Sequence, residues 1–259
     1  MRKHIPNTIT LCNLLCGCIA VKYAFSSQLI AALLFIVIGA VFDFFDGFAA
    51  RKLGVSSPIG KELDSLADVI TFGLAPATMV FSLLTTYIHR YAASEGVVLA
   101  DSFIRYLNAT AFLIAAFSAL RLAKFNIDER QTSSFIGLPT PANAMLLASA
   151  TITLGNHPEW LGALGGGYSS HGLVGIIVLG IVIVVSCTLL VCNLPLFALK
   201  FKHFGWSENK VRYIFLLSSA VLLAVSLAYS TTRFIAMIGI VIAWYVVLSL
   251  LTARKTKQQ

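Results

Sequence analysis

The feature that most constrains this chain is a series of long apolar runs with little sequence between them. Apolar residues make up 58% of the 259 residues and charged residues only 12%, with a mean hydropathy of +0.86. Soluble domains carry about 25% charged residues, so we expect an integral membrane protein. Eight runs are candidate membrane spans, at residues 9–25, 29–48, 66–87, 103–120, 135–154, 173–194, 213–229 and 234–251.

These runs predict helices. A segment inside lipid has no water to satisfy its backbone, so it must be a helix or part of a closed barrel. Barrel strands alternate between apolar and polar residues, whereas these runs are continuous and mostly near the length of about 20 residues that a spanning helix needs. We therefore predict an all-α integral membrane protein with about eight transmembrane helices. The run 135–154 is the weakest, because Gly137, Pro139 and Pro141 interrupt its start.

The Lys and Arg residues are distributed unevenly in this arrangement. With the N-terminus inside, all but four of the 19 Lys and Arg residues fall on the inner side, and the exceptions are Lys22, Arg90, Arg105 and Arg233. This bias predicts cytoplasmic termini and a location in the inner membrane of the cell. The membrane topology explains most of the excess of Lys and Arg that gives the net charge of +8, so no nucleic-acid partner is expected. The Gly-rich segment 155–172 is predicted to be a flexible outer loop.

Four carboxylates lie at the inner ends of the second and third predicted helices. Asp43 and Asp46 are three residues apart, and Asp64 and Asp68 are four apart. Either spacing places both side chains on one helix face, about 5 to 6 Å apart. Because the connection between the two helices is short, we expect antiparallel neighbours whose carboxylate pairs converge on one pocket.

Clustered carboxylates in a poorly hydrated place need cations to offset their repulsion. Their oxygens are ligands that Mg²⁺ or Mn²⁺ accepts, and two such ions would balance four carboxylates. Gly47 and Ala50 lie on the same face as Asp43 and leave space for a large flat ligand, while Arg51 is suited to clamp phosphate oxygens. Further donors follow in the connection, namely Ser56, Ser57 and Gly60.

Two other interpretations of the carboxylates remain open. Acidic residues at a membrane interface can simply mark helix ends in the aqueous zone. Intramembrane acids also serve as ion or proton relays, but that role gives Gly47, Ala50 and Arg51 no function.

The stretch from Asp43 to Asp68 has the pattern Asp-x2-Asp-Gly-x2-Ala-Arg-x8-Gly-x3-Asp-x3-Asp. At every fixed position it resembles the signature of the CDP-alcohol phosphotransferase family of integral membrane enzymes. The resemblance implies a helical, usually dimeric enzyme that displaces CMP from a CDP-linked lipid with an alcohol at the cytoplasmic side. It implies Asp68 as general base, and attack on a phosphoanhydride does require a base and charge neutralisation. The implied metal ligands are Asp43, Asp46, Asp64 and Asp68, and the implied nucleotide contacts are Gly47, Ala50, Arg51 and Gly60.

Four further segments resemble the phosphatidylserine synthase branch of this family. They lie at residues 6–13, 72–77, 121–126 and 135–141, and Lys124 stands where the branch usually has arginine. The resemblance covers about the first 145 residues, and it implies serine as the acceptor. It also places three polar residues of the first span near the cytidine, namely Asn7, Thr10 and Asn13.

The chemistry of serine agrees with these segments. Arg121 or Lys124 is suited to hold the carboxylate of serine, and Asn126 or backbone carbonyls around Gly137 and Pro139 the ammonium. The same cations also fit the positive-inside topology, and a phosphorylated acceptor would need them equally.

We therefore predict transfer of a phosphatidyl group from CDP-diacylglycerol to L-serine by a homodimer in the bilayer, with Mg²⁺ or Mn²⁺. Residues 1–155 are predicted to form the catalytic core of about five helices, and residues 156–259 the remaining spans of the same domain. A polyol phosphate acceptor and an archaeol-based donor are alternatives with the same chemistry. An ion-coupled transporter is the alternative of another class.

Overall fold

The computed structural model describes residues 4–55, 57–127, 135–165, 171–196 and 206–256. Within these ranges the chain is helical apart from two short strands, so the all-α prediction is confirmed. Among the described residues, seven helical stretches are long and apolar enough to cross a bilayer, as in an integral membrane protein. They are Ile5–Phe25, Leu29–Leu53, Pro58–Glu95, Asp101–Ile127, His171–Val191, Asn209–Tyr229 and Thr231–Thr252. Both chain ends lie outside the described residues, so their cytoplasmic location stays a prediction.

The helices and strands follow one another through mostly short connections. In order they are α1 (Ile5–Phe25), α2 (Leu29–Leu53), α3 (Pro58–Asp68), a π-helix (Val69–Leu74), α4 (Ala75–Glu95), α5 (Asp101–Ala109), a 3₁₀-helix (Thr110–Phe112), α6 (Leu113–Ile127), β1 (Phe135–Ile136), α7 (Thr140–Asn156), α8 (Glu159–Gly165), α9 (His171–Val191), β2 (Pro195–Leu196), α10 (Trp206–Tyr229) and α11 (Thr231–Thr256). The α3 helix, the π-helix and α4 run without a break over 38 residues.

The fifth apolar run departs most from its prediction. Strand β1 occupies its first two residues and pairs antiparallel with β2, and α7 begins only at Thr140 with Pro139 as its N-cap. The prediction of a span from residue 135 is therefore wrong at its start, because Gly137 and Pro139 interrupt helical backbone. The α7 helix has 17 residues, shorter than each of the seven stretches above, so a count of eight spans stays a prediction.

A short helix replaces part of the predicted outer loop. The α8 helix packs against α9, and its Leu161 side chain is only 2% exposed. Leu161 belongs to a buried cluster that includes Tyr87 of α4 and Leu179 of α9. The prediction of a flexible loop is thus wrong over Glu159–Gly165, because an apolar side chain anchors this segment in the core. Residues 166–170 of the same prediction lie outside the described residues.

Small residues let α1, α2 and the π-helix approach one another closely. A Cβ atom at Gly17 of α1 would lie 2.4 Å from Thr71 Oγ1, and one at Gly39 of α2 would lie 2.6 Å from Thr71 Cγ2. Thr71 belongs to the π-helix and is fully buried. The two glycines therefore form a notch that receives Thr71, as small residues do where membrane helices pack closely.

Helix caps define the connection between α2 and α3. The α2 helix continues through the predicted 43–51 motif and ends before Gly54, whose φ of +63° is a left-handed conformation that favours glycine. Ser57 then caps α3, since its Oγ accepts a hydrogen bond of 3.0 Å from the Gly60 N–H. The α1 helix packs against both α2 and α3, so the polar ends of three helices meet in one place.

Candidate active site

Three of the four carboxylates form one cluster. One carboxylate oxygen from each of Asp43, Asp64 and Asp68 lies within 4.8 Å of the other two. Asp43 comes from α2, while Asp64 and Asp68 lie one turn apart on α3, as the spacing predicts. Asp68 is the most enclosed of these three, with 9% of its surface exposed. The structure therefore brings the two helices together at their carboxylates.

Asp46 lies beside the cluster rather than in it. Its Oδ2 accepts a hydrogen bond of 2.6 Å from the Thr10 hydroxyl of α1, and its side chain is buried. Thr10 and Asp46 both line a cavity of about 280 Å³ next to the cluster. Asp46 thus connects the carboxylates to the cavity.

The cavity collects most of the residues predicted to contact the nucleotide. Its walls come from α1, from the end of α2 and from the start of α3, and they combine small and polar residues, as ligand sites do. The predicted site residues that line it are Asn7, Thr10, Asp46, Gly47, Ala50, Ser57, Gly60 and Asp64. Ser56 lies outside the described residues.

Two glycines keep the cavity open. A Cβ atom at Gly47 would lie 3.4 Å from a guanidinium nitrogen of Arg51, so a larger side chain would displace that group. A Cβ atom at Gly60 would lie 3.1 Å from Asn7 Oδ1. Arg51 is exposed and folds back towards Gly47, where its guanidinium is accessible to an anionic ligand.

Asn13 has a different placement from the one predicted for it. The residue is fully buried and does not line the cavity. Its Nδ2 donates a long hydrogen bond of 3.4 Å to Asp68 Oδ1. The structure therefore associates Asn13 with Asp68 rather than with the predicted cytidine site.

The carboxylate cluster fits a divalent metal ion. Oxygen ligands lie about 2.0 to 2.6 Å from Mg²⁺ or Ca²⁺, so two ligands of one ion are up to about 5 Å apart. The 4.8 Å limit within the cluster meets this condition. Asp64 Oδ1 is buried without a hydrogen-bond partner among the described residues, which leaves it available to a ligand from outside the protein. Without a cation, each ionised pair at this separation costs about 3 to 4 kcal/mol at an effective dielectric constant of about 20.

Arg121, a predicted acceptor residue, interacts with the carboxylate cluster. It is 7% exposed, interacts electrostatically with Asp68 and donates through Nη1 to Thr140 Oγ1 at 3.5 Å. Its Nε is buried and has no partner among the described residues. A buried guanidinium with spare donors is suited to bind a carboxylate.

Two of the other predicted acceptor residues lie at the end of α6. Lys124 is exposed. Asn126 donates to Ser65 Oγ at 2.8 Å, and its backbone oxygen accepts from Lys61 Nζ at 3.1 Å. These bonds join the end of α6 to Lys61 and Ser65 of α3, so Asn126 holds two helices together.

Gly137 and Pro139 lie against the end of α9. The Gly137 N–H donates to the Leu194 oxygen at 3.0 Å, and a Cβ atom at Gly137 would lie 2.8 Å from the Leu190 oxygen. The φ of Gly137 is +76°, and Pro139 is the N-cap of α7. Packing against α9 therefore accounts for Gly137, and the start of α7 accounts for Pro139. These neighbours give no support to the predicted contact of the two residues with serine.

Three residues at the site are absent from the predicted site residues. Lys61 lines the cavity, Thr140 accepts from Arg121, and the Thr71 hydroxyl donates to the Asn13 backbone oxygen at 3.1 Å. The position of Lys61 next to Gly60 was a visible signal, as was that of Thr140 between two prolines. The role of Thr71 depends on the π-helix, for which the sequence gives no signal.

Comparison with known proteins identifies the class to which this site belongs. The family model of the CDP-alcohol phosphatidyltransferases matches residues 3–191. The match spans more than half of the chain, so the chain belongs to the CDP-alcohol phosphatidyltransferase family.

The chain is also similar to individual proteins whose names state a reaction. Over 151 residues the chain is 38% identical to the CDP-diacylglycerol–serine O-phosphatidyltransferase of Bacillus subtilis (strain 168), covering 58% of this chain and 77% of the relative. It is 37% identical over 144 residues to the protein of that name from Helicobacter pylori (strain J99), and the match covers 55% of this chain and 54% of the relative. It is 30% identical over 152 residues to the archaetidylserine synthase of Methanothermobacter thermautotrophicus, covering 58% of each chain. The chain thus spans little more than half of the last two relatives.

Proposed function

We propose that this protein transfers the phosphatidyl group of CDP-diacylglycerol to the hydroxyl of L-serine and releases CMP. The observation that carries the proposal is the position of Arg121, a buried cation with a spare donor that interacts with Asp68 of the carboxylate cluster. Membership of the family supports the transferase class, and two relatives named for transfer to serine support the acceptor.

The cavity beside Asp46 is the proposed site of the cytidine diphosphate. Gly47 and Ala50 leave a flat wall for it, and Arg51 and Lys61 carry positive charge to its phosphate oxygens. Polar atoms at the other walls offer further hydrogen bonds, and they belong to Asn7, Thr10, Ser57 and Gly60. Ser56, which lies outside the described residues, is also a proposed contact on the basis of the sequence.

The carboxylates are the proposed ligands of two divalent metal ions, either Mg²⁺ or Mn²⁺. The ligands are Asp43, Asp46, Asp64 and Asp68. Such ions, when bound, neutralise phosphate charge and stabilise the leaving phosphate. The shared cluster and the unpartnered Asp64 Oδ1 support this assignment.

Asp68 is the proposed general base. Arg121 and Asp68 interact electrostatically, and in this proposal a serine held at Arg121 through its carboxylate presents its hydroxyl to Asp68. Asp68 takes the hydroxyl proton while the serine oxygen bonds to the phosphorus of the phosphatidyl group. The bond from that phosphorus to the CMP oxygen breaks, and CMP leaves with the electron pair.

Three alternatives differ from this proposal in substrate or in class. A polyol phosphate acceptor would use the same cations. An archaeol-based donor would use the same headgroup chemistry, and the name of the Methanothermobacter relative is consistent with it. An ion-coupled transporter would use the carboxylates without a nucleotide, and the family match favours a transferase over it.

We further propose that the site faces the cytoplasm from the inner membrane and that two copies form a homodimer. The inner-side excess of Lys and Arg supports this orientation. We also keep residues 1–155 as the catalytic core and residues 156–259 as further spans of the same domain. The packing of α9 against α4 and α6 supports one continuous domain.

The test is release of CMP by purified protein reconstituted with CDP-diacylglycerol and Mn²⁺. The acceptors compared are L-serine, glycerol 3-phosphate, inositol phosphate and none, each with and without EDTA. Release that requires both serine and metal supports the proposal. Release with a polyol phosphate, or only with an archaeol-linked donor, rejects the proposed substrate and keeps the chemistry. Carboxylate-dependent ion flux in liposomes without CMP release would favour the transporter.

A further inference from the structure

We propose that Thr71, seated in the π-helix, is a positioning residue that orients the Asp68 carboxylate through Asn13. The inference rests on the proposed function, in which Asp68 serves as metal ligand and base. Neither Thr71 nor the π-helix belongs to the carboxylate motif at residues 43–68.

The π-helix begins directly after Asp68. It covers Val69–Leu74 and joins α3 to α4 without a break. A π-helix adds residues to a turn and is frequent at functional sites, because it changes the direction of the side chains that follow. Here it places Thr71 against both α1 and α2.

Thr71 fills a space that the packing of three helices provides for it. It is fully buried, and the absent side chains of Gly17 and Gly39 leave the space that it occupies. Its Oγ1 donates a hydrogen bond of 3.1 Å to the backbone oxygen of Asn13. A threonine hydroxyl inside a helix usually bonds the carbonyl oxygen one turn earlier, as Thr78 does with Leu74. The hydroxyl of Thr71 instead links the π-helix to α1.

Asn13 transmits this link to the carboxylate. Its Nδ2 donates to Asp68 Oδ1 at 3.4 Å, while its Oδ1 is buried and has no partner among the described residues. The Asn13 side chain is fully buried, so water does not substitute for its amide. Thr71 therefore fixes the backbone of Asn13, and Asn13 fixes one oxygen of Asp68 relative to Asp43 and Asp64.

Two substitutions at Thr71 separate packing from hydrogen bonding. Thr71→Val keeps the shape that fills the glycine notch and removes the hydroxyl, whereas Thr71→Ser keeps the hydroxyl and removes a methyl group. Thr151→Val is the matched control, because Thr151 is fully buried and its hydroxyl donates to the Leu147 and Ala148 oxygens of its own helix α7.

The experiment measures the Kd of Mn²⁺ by electron paramagnetic resonance without substrates, and then kcat and KM. For Thr71→Val we expect Mn²⁺ affinity about tenfold weaker and kcat about 10- to 100-fold lower, the range seen when a hydrogen bond to a metal ligand is lost. The KM for CDP-diacylglycerol is expected to stay within about twofold, since the described cavity does not include Thr71 or Asn13. Thr71→Ser is expected to recover most of the loss, and Thr151→Val to match the unsubstituted protein.

Equal Mn²⁺ affinity and kcat in Thr71→Val and Thr151→Val would overturn the inference. A raised KM for the donor with unchanged kcat would also overturn it, since it would place Asn13 at the nucleotide. If Thr71→Val does not fold, Asn13→Leu removes the amide and leaves Thr71 in place, and the same two readouts decide. If the unsubstituted protein shows no transfer to serine, the proposed function fails, while the Mn²⁺ affinities still test the link to Asp68.

Discussion

The proposed donor side and the proposed acceptor side of the site are assembled differently. The donor side comes from α1, α2 and α3, which follow one another in the chain and contribute the cavity and the carboxylate cluster. The acceptor side combines Arg121 of α6 with Thr140 of α7, and residues 128–134 between them lie outside the described residues. Donor chemistry is thus encoded locally, whereas acceptor chemistry depends on the packing of helices that are distant in sequence.

The two sides also differ in exposure. Arg51 and Lys61 on the donor side are exposed, while Arg121 on the acceptor side is buried. An exposed cation can adapt to a large lipid-linked nucleotide, whereas a buried cation imposes one geometry on a small acceptor. Substitutions on each side are therefore expected to change different kinetic constants.

The largest effect is expected for Asp68→Asn, because Asp68 is the proposed base and a proposed metal ligand. Loss of a general base reduces turnover by about 10²- to 10⁴-fold, and we expect kcat to fall by at least about 10³-fold while CDP-diacylglycerol still binds. CMP release and donor binding measure the two effects. Asp101→Asn, at the exposed start of α5, is the control. Appreciable turnover in Asp68→Asn would remove Asp68 as the base.

Gly47→Leu is expected to affect the donor side alone. The leucine would displace the Arg51 guanidinium and enter the cavity. Loss of a charged hydrogen bond costs about 1.5 to 3 kcal/mol, so donor affinity should fall about 10- to 100-fold. Gly180→Leu is the control, since a Cβ atom at Gly180 would meet nothing within 4 Å. Unchanged donor affinity in Gly47→Leu would mean that this wall does not contact the nucleotide.

Arg121→Leu is the corresponding change on the acceptor side. We expect the KM for serine to rise about 10- to 100-fold, with donor affinity unchanged, because a charged hydrogen bond to the serine carboxylate is lost. Kinetics at varied serine and fixed donor measure this effect, and Arg105→Leu on exposed α5 is the control. A rise in the KM for the donor instead would mean that Arg121 also contributes to donor binding, and it would contradict the separation of the donor side from the acceptor side.

Gly137→Ala is expected to change stability rather than specificity. The positive φ strains an alanine by about 1 to 3 kcal/mol, and its Cβ would also press on the Leu190 oxygen. The melting temperature in detergent should fall while the KM for serine stays unchanged. Gly96→Ala has a similar φ of +64° with open space around it, so it should destabilise less. A raised KM for serine at unchanged stability would instead support the predicted role of Gly137 in serine binding.

The smallest effect is expected for Lys124→Ala. Exposed substitutions usually change free energies by no more than about 0.5 kcal/mol, so the KM for serine should change by no more than about twofold. The same kinetic assay as for Arg121→Leu measures it. A tenfold rise in the KM for serine would show that Lys124 contributes to serine binding together with Arg121, although only Arg121 is buried.

The sequence predicted the donor side well because helical spacing alone relates its residues. Asp64 and Asp68 share a face of α3 wherever that helix lies, and Gly47 follows Asp43 by one turn in the same way. The sequence did not separate Asp46 from the other three carboxylates, because its partner Thr10 comes from another helix. The notch at Gly17 and Gly39 likewise exists only after α1, α2 and the π-helix pack.

The acceptor side was predicted less well for the same reason. Arg121 and Lys124 are equivalent as cations in the sequence, and only packing buries one and exposes the other. Asn126 and Gly137 are polar or flexible residues near a predicted site, yet their neighbours are α3 and α9. Apolar periodicity located the helices, and Pro139 marked the start of α7, but no local pattern encodes which side chains meet between distant elements.

The unbroken stretch Pro58–Glu95 sets the depth of the chemistry in the bilayer. At a rise of about 1.5 Å per residue, Asp68 and Glu95 are about 40 Å apart, close to the full thickness of a bilayer with its headgroups. With Glu95 in one headgroup layer, Asp68 lies in the other. In the proposed reaction, a lipid can therefore present its diphosphate to the carboxylates while both acyl chains stay in the hydrocarbon layer, and the lipid product can diffuse away laterally without leaving the membrane. Extraction would cost about 0.8 kcal/mol for each methylene group brought into water, and this geometry avoids that step.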